Sequence, residues 1–256
     1  MSAIINNTNP NNASPGGAIK AAPLAFRLRV PIHTAIYLLG FFAPWDYLLH
    51  WDSIRTWQLL AAWPARTGWI GFSAATITVL LIGILCALTA ALLRTWASAY
   101  IGASIVLSTA LHGDSVVAAG PFRYLRNPLY LGTILHTLAL ALLMPPSGAV
   151  FTIASISLFQ LFLISREEAF LTLHLGEPYR LYCASVPRLL PAFTPRVPAS
   201  TLRPHWPAAI LGEAYFWGAA ISFAALGWRY NAFLITQGII VSVGVSLIAR
   251  VFIPKR

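Results

Sequence analysis

Six apolar segments dominate this chain and restrict it to an all-helical membrane fold. They cover residues 31–49, 68–93, 129–144, 148–165, 207–228 and 232–249. A transmembrane helix needs about 20 mostly apolar residues, and a helix satisfies its own backbone hydrogen bonds inside hydrocarbon. Charged residues make up 9% of the chain, against roughly a quarter in soluble domains. We therefore predict an all-α polytopic membrane protein with about six transmembrane helices.

Several of these segments have local features that shape them. Pro44 and Asp46 interrupt the first one, where the proline would kink or end the helix and the aspartate is costly without a partner. The third and fourth segments are short and separated only by residues 145–147, so we expect a tight antiparallel hairpin. Residues 94–111 mix apolar and polar side chains, and either extend the second span or lie along the interface as an amphipathic helix.

The basic residues indicate an orientation for this layout. With both termini in the cytoplasm, fourteen of the 17 basic residues lie in the predicted cytoplasmic segments. The three that lie outside are Arg55, Arg66 and Arg229. Because cytoplasmic segments of membrane proteins are enriched in lysine and arginine, this asymmetry supports six spans. We predict an integral, multi-pass membrane protein with both termini in the cytoplasm.

Composition also limits the partners and the domain organisation. The net charge of +10 comes from dispersed basic residues beside apolar runs, which favours contact with anionic lipid over nucleic acid. Cys86 and Cys183 give no disulfide framework and no metal-ligand spacing, so we expect no metal. Residues 1–25 are predicted to be a disordered tail without a cleavable signal peptide, and residues 26–256 a single transmembrane domain.

The first of two charged clusters lies at residues 120–132. Its opening glycine and proline mark a turn, and Asn127 with Pro128 is typical of a helix N-cap followed by proline at the first helical position. One interpretation is a loop entering the third span, with Arg123 and Arg126 reaching lipid phosphates. The other is that the free amides of the helix start and these two arginines bind an anionic group.

The second cluster begins with Arg166, Glu167 and Glu168, and it contains three of the seven acidic residues in the chain. These side chains are either solvated charges paired with nearby arginines, or a carboxylate site for a cation or ribose hydroxyls. In the second case Arg166 would face an anionic acceptor. The predicted hairpin returns the chain, so residues near 127 and near 167 should meet at one membrane face.

The region 94–191 resembles the integral-membrane superfamily of isoprenylcysteine carboxyl methyltransferases and phospholipid N-methyltransferases. Four motifs support the resemblance: Gly-Pro-Phe-Arg-Tyr-Leu-Arg-Asn-Pro-Leu-Tyr-Leu-Gly at 120–132, Arg-Glu-Glu at 166–168, Gly-Glu-Pro-Tyr-Arg-Leu-Tyr at 176–182 and Val-Pro-Arg at 186–188. The resemblance implies an S-adenosylmethionine site at the cytoplasmic face, between the start of one span and the Glu-Glu end of the next.

The resemblance also implies roles for individual residues. The cofactor-binding residues would be Asp114, Val116, Val117, Phe122, Arg126, Asn127, Pro128, Leu129, Tyr130 and Glu167. The catalytic residues would be Arg166, Glu167 and Glu168, and the substrate would contact Arg166 and His136. Asn127 stands where the carboxyl methyltransferases usually have His, and Phe122 where they usually have Tyr. Each departure removes a polar group from the site.

We expect S-adenosylmethionine-dependent carboxyl O-methylation of a prenylated or lipidic acceptor that enters from the bilayer. A carboxylate acceptor needs only an arginine to orient it, whereas an amine acceptor needs a general base. His136, inside the third span, is a candidate for that base or a hydrogen-bonded structural histidine. The alternatives are phospholipid headgroup N-methylation, an NADPH-dependent enzyme resembling sterol reductases, and an inactive membrane scaffold.

Overall fold

The structure is a computed structural model, and it describes residues 24–45, 47, 54–102, 106 and 116–253. Within these residues the chain forms α-helices and short 3₁₀ turns without a β-strand, which confirms the all-α class. The predicted tail falls outside the described residues, apart from its last two positions, which begin a short helix. Asp46 and Asp114 also lie outside them.

The helices follow one another along the chain with short connections. Those with described bounds are α1 Leu24–Arg27, α2 Arg29–Phe42, α3 Thr56–Arg66, α4 Phe72–Ile101, α5 Pro128–Ala141, α6 Pro146–Leu175, α7 Glu177–Ser185, α8 Trp206–Gly212, α9 Ala214–Leu226 and α10 Ala232–Ala249. The 3₁₀ turns are Gly120–Arg123, Gly227–Arg229 and Arg250–Phe252. Helix α5 packs against both α4 and α6, and α9 packs against α4 and α10.

Three helices in the described part of the chain are long and apolar enough to cross a membrane. They are α4, α6 and α10 with its terminal 3₁₀ turn. The pair Trp206–Gly212 and Ala214–Arg229 is bent by 67° and would be a fourth span if it crosses as one unit. The chain is therefore an integral membrane protein with three or four supported spans, and the count of six stays a prediction.

Residues 94–101 form the last turns of helix α4. The helix runs without a break from Phe72 to Ile101, so these residues extend the second span instead of starting a separate interfacial helix. It ends at Gly102, whose φ of 101° is strained for any residue with a side chain. With 30 residues, α4 is about 45 Å long at 1.5 Å per residue, well beyond the roughly 30 Å of hydrocarbon.

Helix α3 lies between the first and second predicted spans, where the apolar pattern predicts no transmembrane helix. Its first two amides donate to the turn between α5 and α6: the Thr56 amide donates to the carbonyl of Met144, and the Trp57 amide donates to that of Leu142. These bonds satisfy two amides that a helix start leaves without partners inside the helix. The Trp57 side chain is buried against α4 and Leu142. Helix α3 therefore covers the α5–α6 turn.

Two glycines allow helices to cross closely in the apolar interior. A Cβ atom on Gly148 of α6 would overlap the carbonyl oxygen of Gly40 on α2. A Cβ atom on Gly132 of α5 would overlap the Arg94 side chain of α4. Small residues of this kind let membrane helices approach where no hydrophobic force drives them together. At the second crossing, the missing side chain of Gly132 leaves room for the Arg94 side chain to pass α5.

The Arg94 guanidinium joins α4, α5 and the bend between α8 and α9. Its Nε lies 2.7 Å from Oε2 of Glu213, and its Nη2 donates to Oε1 at 3.2 Å. Its Nη1 donates to the Leu129 carbonyl at 3.1 Å and to the Thr133 hydroxyl at 2.9 Å. Glu213 is 2% exposed. A buried charge is costly unless it is paired and hydrogen-bonded, and this two-point pairing meets that requirement.

We predict that Glu213→Leu lowers the free energy of unfolding by about 3–5 kcal/mol, because it leaves the Arg94 charge buried without its partner. The double variant Arg94→Met/Glu213→Leu should recover most of that loss. Reversible unfolding of the detergent-solubilised protein in SDS measures both. Glu177→Gln is the matched control, since its pair with Arg180 is largely exposed. Equal losses in Glu213→Leu and in the control would contradict the prediction.

Candidate functional site

The start of α5 and the end of α6 meet through two side-chain hydrogen bonds. The Asn127 amide nitrogen donates to Oε1 of Glu168 at 3.0 Å, and the Tyr130 hydroxyl donates to Oε2 of Glu167 at 2.6 Å. The paired residues are 41 and 37 positions apart in the chain. Residues near 127 and near 167 therefore lie together, as the hairpin predicted. We call this group of four residues the carboxylate cluster.

Asn127 occupies the N-cap position of α5, but its side chain does not cap the helix. No capping hydrogen bond is formed, and the amide nitrogen donates instead to Glu168 and to the carbonyl of Arg188 at 3.1 Å. The expectation of a capping asparagine was therefore wrong about the side chain, although Pro128 does begin the helix. The amide nitrogen is a donor, so these bonds orient the side chain toward two acceptors, and the capping bond, which would use the amide oxygen, is not formed.

Two arginines lie beside Glu168 on the side away from Tyr130. The Nε of Arg188 is 2.9 Å from Oε2 of Glu168, and the Nε of Arg126 is 3.6 Å from Oε1. Neither Nε atom makes a well-aligned hydrogen bond to another described residue, although both are buried. Each Nε–H is therefore a buried donor that lies beside the Glu168 carboxylate. The Val-Pro-Arg motif was the only sequence signal for Arg188, which was not among the predicted site residues.

Backbone hydrogen bonds bring Arg188 to the carboxylate cluster. The chain after α7 runs back along the segment before α5, and the Arg126 amide donates to the carbonyl of Pro187 at 2.9 Å. The Tyr182 hydroxyl donates to the carbonyl of Phe122 at 2.8 Å. Burial raises the pKa of the Tyr182 phenol, so it stays protonated and remains a donor.

Gly120 begins the turn that leads into this part of the site. Its φ is 52°, in the left-handed region that favours glycine. A Cβ atom here would also overlap the rings of Tyr100 and Trp96 at the end of α4. Both the backbone conformation and the lack of room for a side chain therefore require glycine at this predicted turn.

Arg166 is not brought to the carboxylate cluster. Its side chain is exposed, and its guanidinium carbon lies 5.3 Å from the ring centre of Phe162 on the same helix. Successive residues of a helix are about 100° apart around its axis, so Arg166 faces away while Glu167 faces Tyr130. A catalytic or substrate-contacting role for Arg166 stays a prediction, and Arg126 and Arg188 are the arginines that lie at the carboxylates.

His136 lies in the apolar interior, six residues beyond Tyr130 on α5. It is 1% exposed, its Nε2 is 3.0 Å from the Tyr215 hydroxyl, and its ring packs edge-on against Phe216 at 4.7 Å between ring centres. These contacts fit the structural alternative for this histidine, since none of them involves the carboxylate cluster. Its contact with a substrate stays a prediction.

The remaining predicted cofactor residues differ in their burial and in their contacts. Phe122 is buried, and Val116 packs against the buried side chains at positions 179, 182 and 186. Val117 is half-buried. Leu129 enters the network through its carbonyl, which accepts from Arg94. The structure thus places apolar surface on the side of the cluster that precedes α5.

An apolar groove of about 520 Å³ lies elsewhere, between α4 and the α8–α9 bend. Its lining residues are Thr89, Leu92, Leu93, Thr95, Trp96, Trp206, Ile210 and Trp217. None of these side chains is ionisable, so the groove offers nothing that would bind a charged small molecule. The chemistry of the site therefore rests on the carboxylate cluster and not on the groove.

Residues 78–177 match the family model of the phospholipid methyltransferases. This range includes most of α4, all of α5 and α6 and the whole carboxylate cluster, and it ends before Arg188. The match confirms the resemblance to the superfamily of membrane methyltransferases and supports a methyltransferase activity for this chain. No curated protein and no solved structure matches it significantly.

We predict that Glu168→Gln loosens the chain around Arg188, because the neutral amide no longer pairs with Arg126 and Arg188. Hydrogen bonds to charged groups contribute about 1.5–3 kcal/mol, so amide exchange at residues 187–197 should accelerate by roughly tenfold or more. Hydrogen-exchange mass spectrometry measures this. Arg166→Gln is the control, since it alters a charge that does not contact the cluster. Unchanged exchange in Glu168→Gln would contradict the pairing.

Proposed function

We propose that this chain is an S-adenosylmethionine-dependent methyltransferase acting on a lipid-soluble acceptor at the cytoplasmic face of the membrane. One observation supports this most directly. Inside the region that matches the methyltransferase family, two adjacent carboxylates are held by hydrogen bonds from Asn127 and Tyr130 at the end of an apolar helix. Buried ionisable groups with fixed partners at a membrane edge are typical of functional sites.

The groups present at the cluster fit this cofactor. The methionine part of S-adenosylmethionine has an amino group and a carboxylate, and its sulfonium is a second positive charge. Glu167 and Glu168 would hold the positive groups. The guanidinium groups of Arg126 and Arg188, which lie beside Glu168, would hold the carboxylate, since arginine recognises carboxylates well. Phe122 and its apolar neighbours would lie against the adenine.

When bound, the cofactor supplies an electrophilic methyl group on a sulfonium, and the protein supplies binding and alignment. On α6 the two carboxylates follow the buried Leu163 and Ile164 and the exposed Ser165, about 20 residues after the helix begins. A lipid whose reactive group lies at the headgroup level can reach this position without leaving the bilayer. Holding both reactants in a fixed geometry accounts for much of the catalysis such a site can supply.

For the acceptor, we propose a carboxylate on a prenylated or otherwise lipidic molecule. A carboxylate is already nucleophilic near neutral pH and needs orientation more than a base. Two arginines at the cluster suit an anionic acceptor. Asn127 and Phe122 replace the His and Tyr that the carboxyl methyltransferases usually have, and this difference is compatible with an acceptor other than a prenylcysteine.

The second candidate is methylation of a phospholipid headgroup amine. It is favoured by the family whose model matches residues 78–177 and by the presence of Glu167, a carboxylate that could accept the proton an amine must lose. The two candidates separate with a radiolabelled methyl donor. Label in a base-labile ester of a lipidic acid supports the first, and label in the headgroup of phosphatidylethanolamine supports the second.

Cofactor binding is tested by calorimetric titration of the detergent-purified protein with S-adenosylhomocysteine. We expect saturable binding by the unmodified chain and at least a tenfold higher Kd for Glu167→Ala, because the variant loses a carboxylate that would hold a positive group. Glu177→Ala removes the same charge from an exposed position on the same face and should bind like the unmodified chain.

Two results would count against the proposal. If the folded, unmodified chain does not bind S-adenosylhomocysteine, a methyltransferase using this cofactor is excluded and the reductase-like and scaffold alternatives gain support. If Glu177→Ala weakens binding as much as Glu167→Ala, the effect is one of general surface charge and the cofactor lies elsewhere. Circular dichroism of each variant checks that the helices are retained.

A further inference from the structure

The chain between α7 and α8 exposes large apolar side chains. We call residues 187–203 the connecting segment. Within it Leu190 is 81% exposed and Phe193 is fully exposed at 103%, whereas Leu189 between them and the cluster is half-buried. Leaving a phenylalanine and a leucine side chain in water is unfavourable relative to burying them. Two such residues three positions apart indicate a surface that meets another apolar phase.

The connecting segment is also strongly basic. The chain contains no acidic residue between Glu177 and Glu213, and this stretch includes four arginines. Arg180 pairs with Glu177 and Arg188 with Glu168. The other two, Arg196 and Arg203, are exposed and form no ion pair with the residues that the structure describes. Their charges are therefore available to an anionic partner.

A hydrogen bond fixes the depth of the connecting segment relative to the membrane. The Nη2 of Arg188 donates to the hydroxyl of Ser165 at 2.9 Å. Ser165 is the twentieth residue of α6 and directly precedes the charged residues Arg166, Glu167 and Glu168. This is the level at which a membrane-spanning helix passes from hydrocarbon to headgroups. Leu190 follows Arg188 by two residues, so the exposed apolar side chains begin at the headgroup level.

The connecting segment is held in place by its own backbone. The amides of Ala192 and Arg196 donate to the carbonyls of Tyr124 and Arg123 at 2.9 and 2.8 Å. The Arg123 guanidinium donates in turn to the carbonyl of Val197 at 2.9 Å. The segment thus presents Leu190 and Phe193 from a fixed backbone, which reduces the conformational entropy that docking would otherwise cost.

We propose that the connecting segment docks on the headgroup layer of the protein's own bilayer and selects anionic phospholipids. Leu190 and Phe193 enter the boundary between headgroups and acyl chains, and Arg196 and Arg203 pair with lipid phosphates. Basic side chains beside apolar ones are the combination that binds anionic membrane surfaces. Arg188 of the same segment contacts Glu168, so docking holds the carboxylate cluster at the membrane surface. This proposal does not require the chain to be an enzyme.

The insertion is tested with a fluorophore on Phe193→Cys, in a chain whose Cys86 and Cys183 are replaced by alanine, reconstituted in lipid nanodiscs. We expect strong quenching by brominated phospholipid and weak quenching by aqueous iodide. Leu173→Cys is the matched control, because Leu173 is 83% exposed on α6 beyond the charged cluster and should show the reverse. A label at 193 that iodide quenches as freely as the label at 173 would overturn the insertion.

The choice of lipid is tested by comparing brominated phosphatidylglycerol with brominated phosphatidylcholine. The label at 193 should be quenched preferentially by the anionic lipid. Arg196→Gln and Arg203→Gln should each reduce that preference by about fivefold, the factor for one basic residue near an anionic surface. Arg66→Gln, which removes an arginine of α3 remote from the connecting segment, should leave it unchanged.

Two outcomes would overturn the lipid assignment. Equal quenching by both lipids, with no effect of the arginine substitutions, would exclude selection of anionic lipid. Protection of the label that appears only when two copies share a nanodisc would identify a second copy of the chain as the occupant of this surface.

Discussion

Ionised groups in or beside hydrocarbon have to be paired, because an isolated charge there loses its hydration without compensation. The chain meets this constraint at two places, and both involve the first turns of α5. Arg94 and Glu213 form a buried pair that also reaches the Leu129 carbonyl. On α6, Glu168 joins Asn127 and two arginines. The start of α5 therefore lies between two charged clusters, and the candidate site depends on both.

We infer that the chain after α7 contacts the site on one side and the membrane on the other. Arg188 pairs with Glu168, whereas Leu190 and Phe193 are exposed and are proposed to meet the headgroup layer. A site for lipid-soluble acceptors has to lie where reactive headgroups are, and a segment that contacts both the carboxylates and the bilayer would keep it there. The proposed activity and the proposed docking thus require the same depth, although each stands on separate observations.

Prediction from the sequence succeeded where a single periodicity or motif decided the outcome. The hairpin of α5 and α6, and with it the meeting of residues 127 and 168, followed from the short connection between two apolar runs. Helix α3 was missed because its 11 residues are too few to cross a membrane and include Pro64, and its burial comes from contacts with α4 and Leu142. Asn127 was misread as a cap, since its side chain is oriented by donation to a carboxylate distant in sequence.

The sequence by itself determined the class of fold, the apolar helices and the motifs that place a pair of carboxylates near a helix start. The tertiary structure alone decided which side chains meet. Arg166 and Glu167 are adjacent in the chain, yet one is exposed and the other bonds Tyr130. The physical reason is that each helical residue turns by about 100°, and the rotation of a whole helix is set by its packing against neighbours. Arg188 reached Glu168 only because the backbone after α7 folds back along the segment before α5.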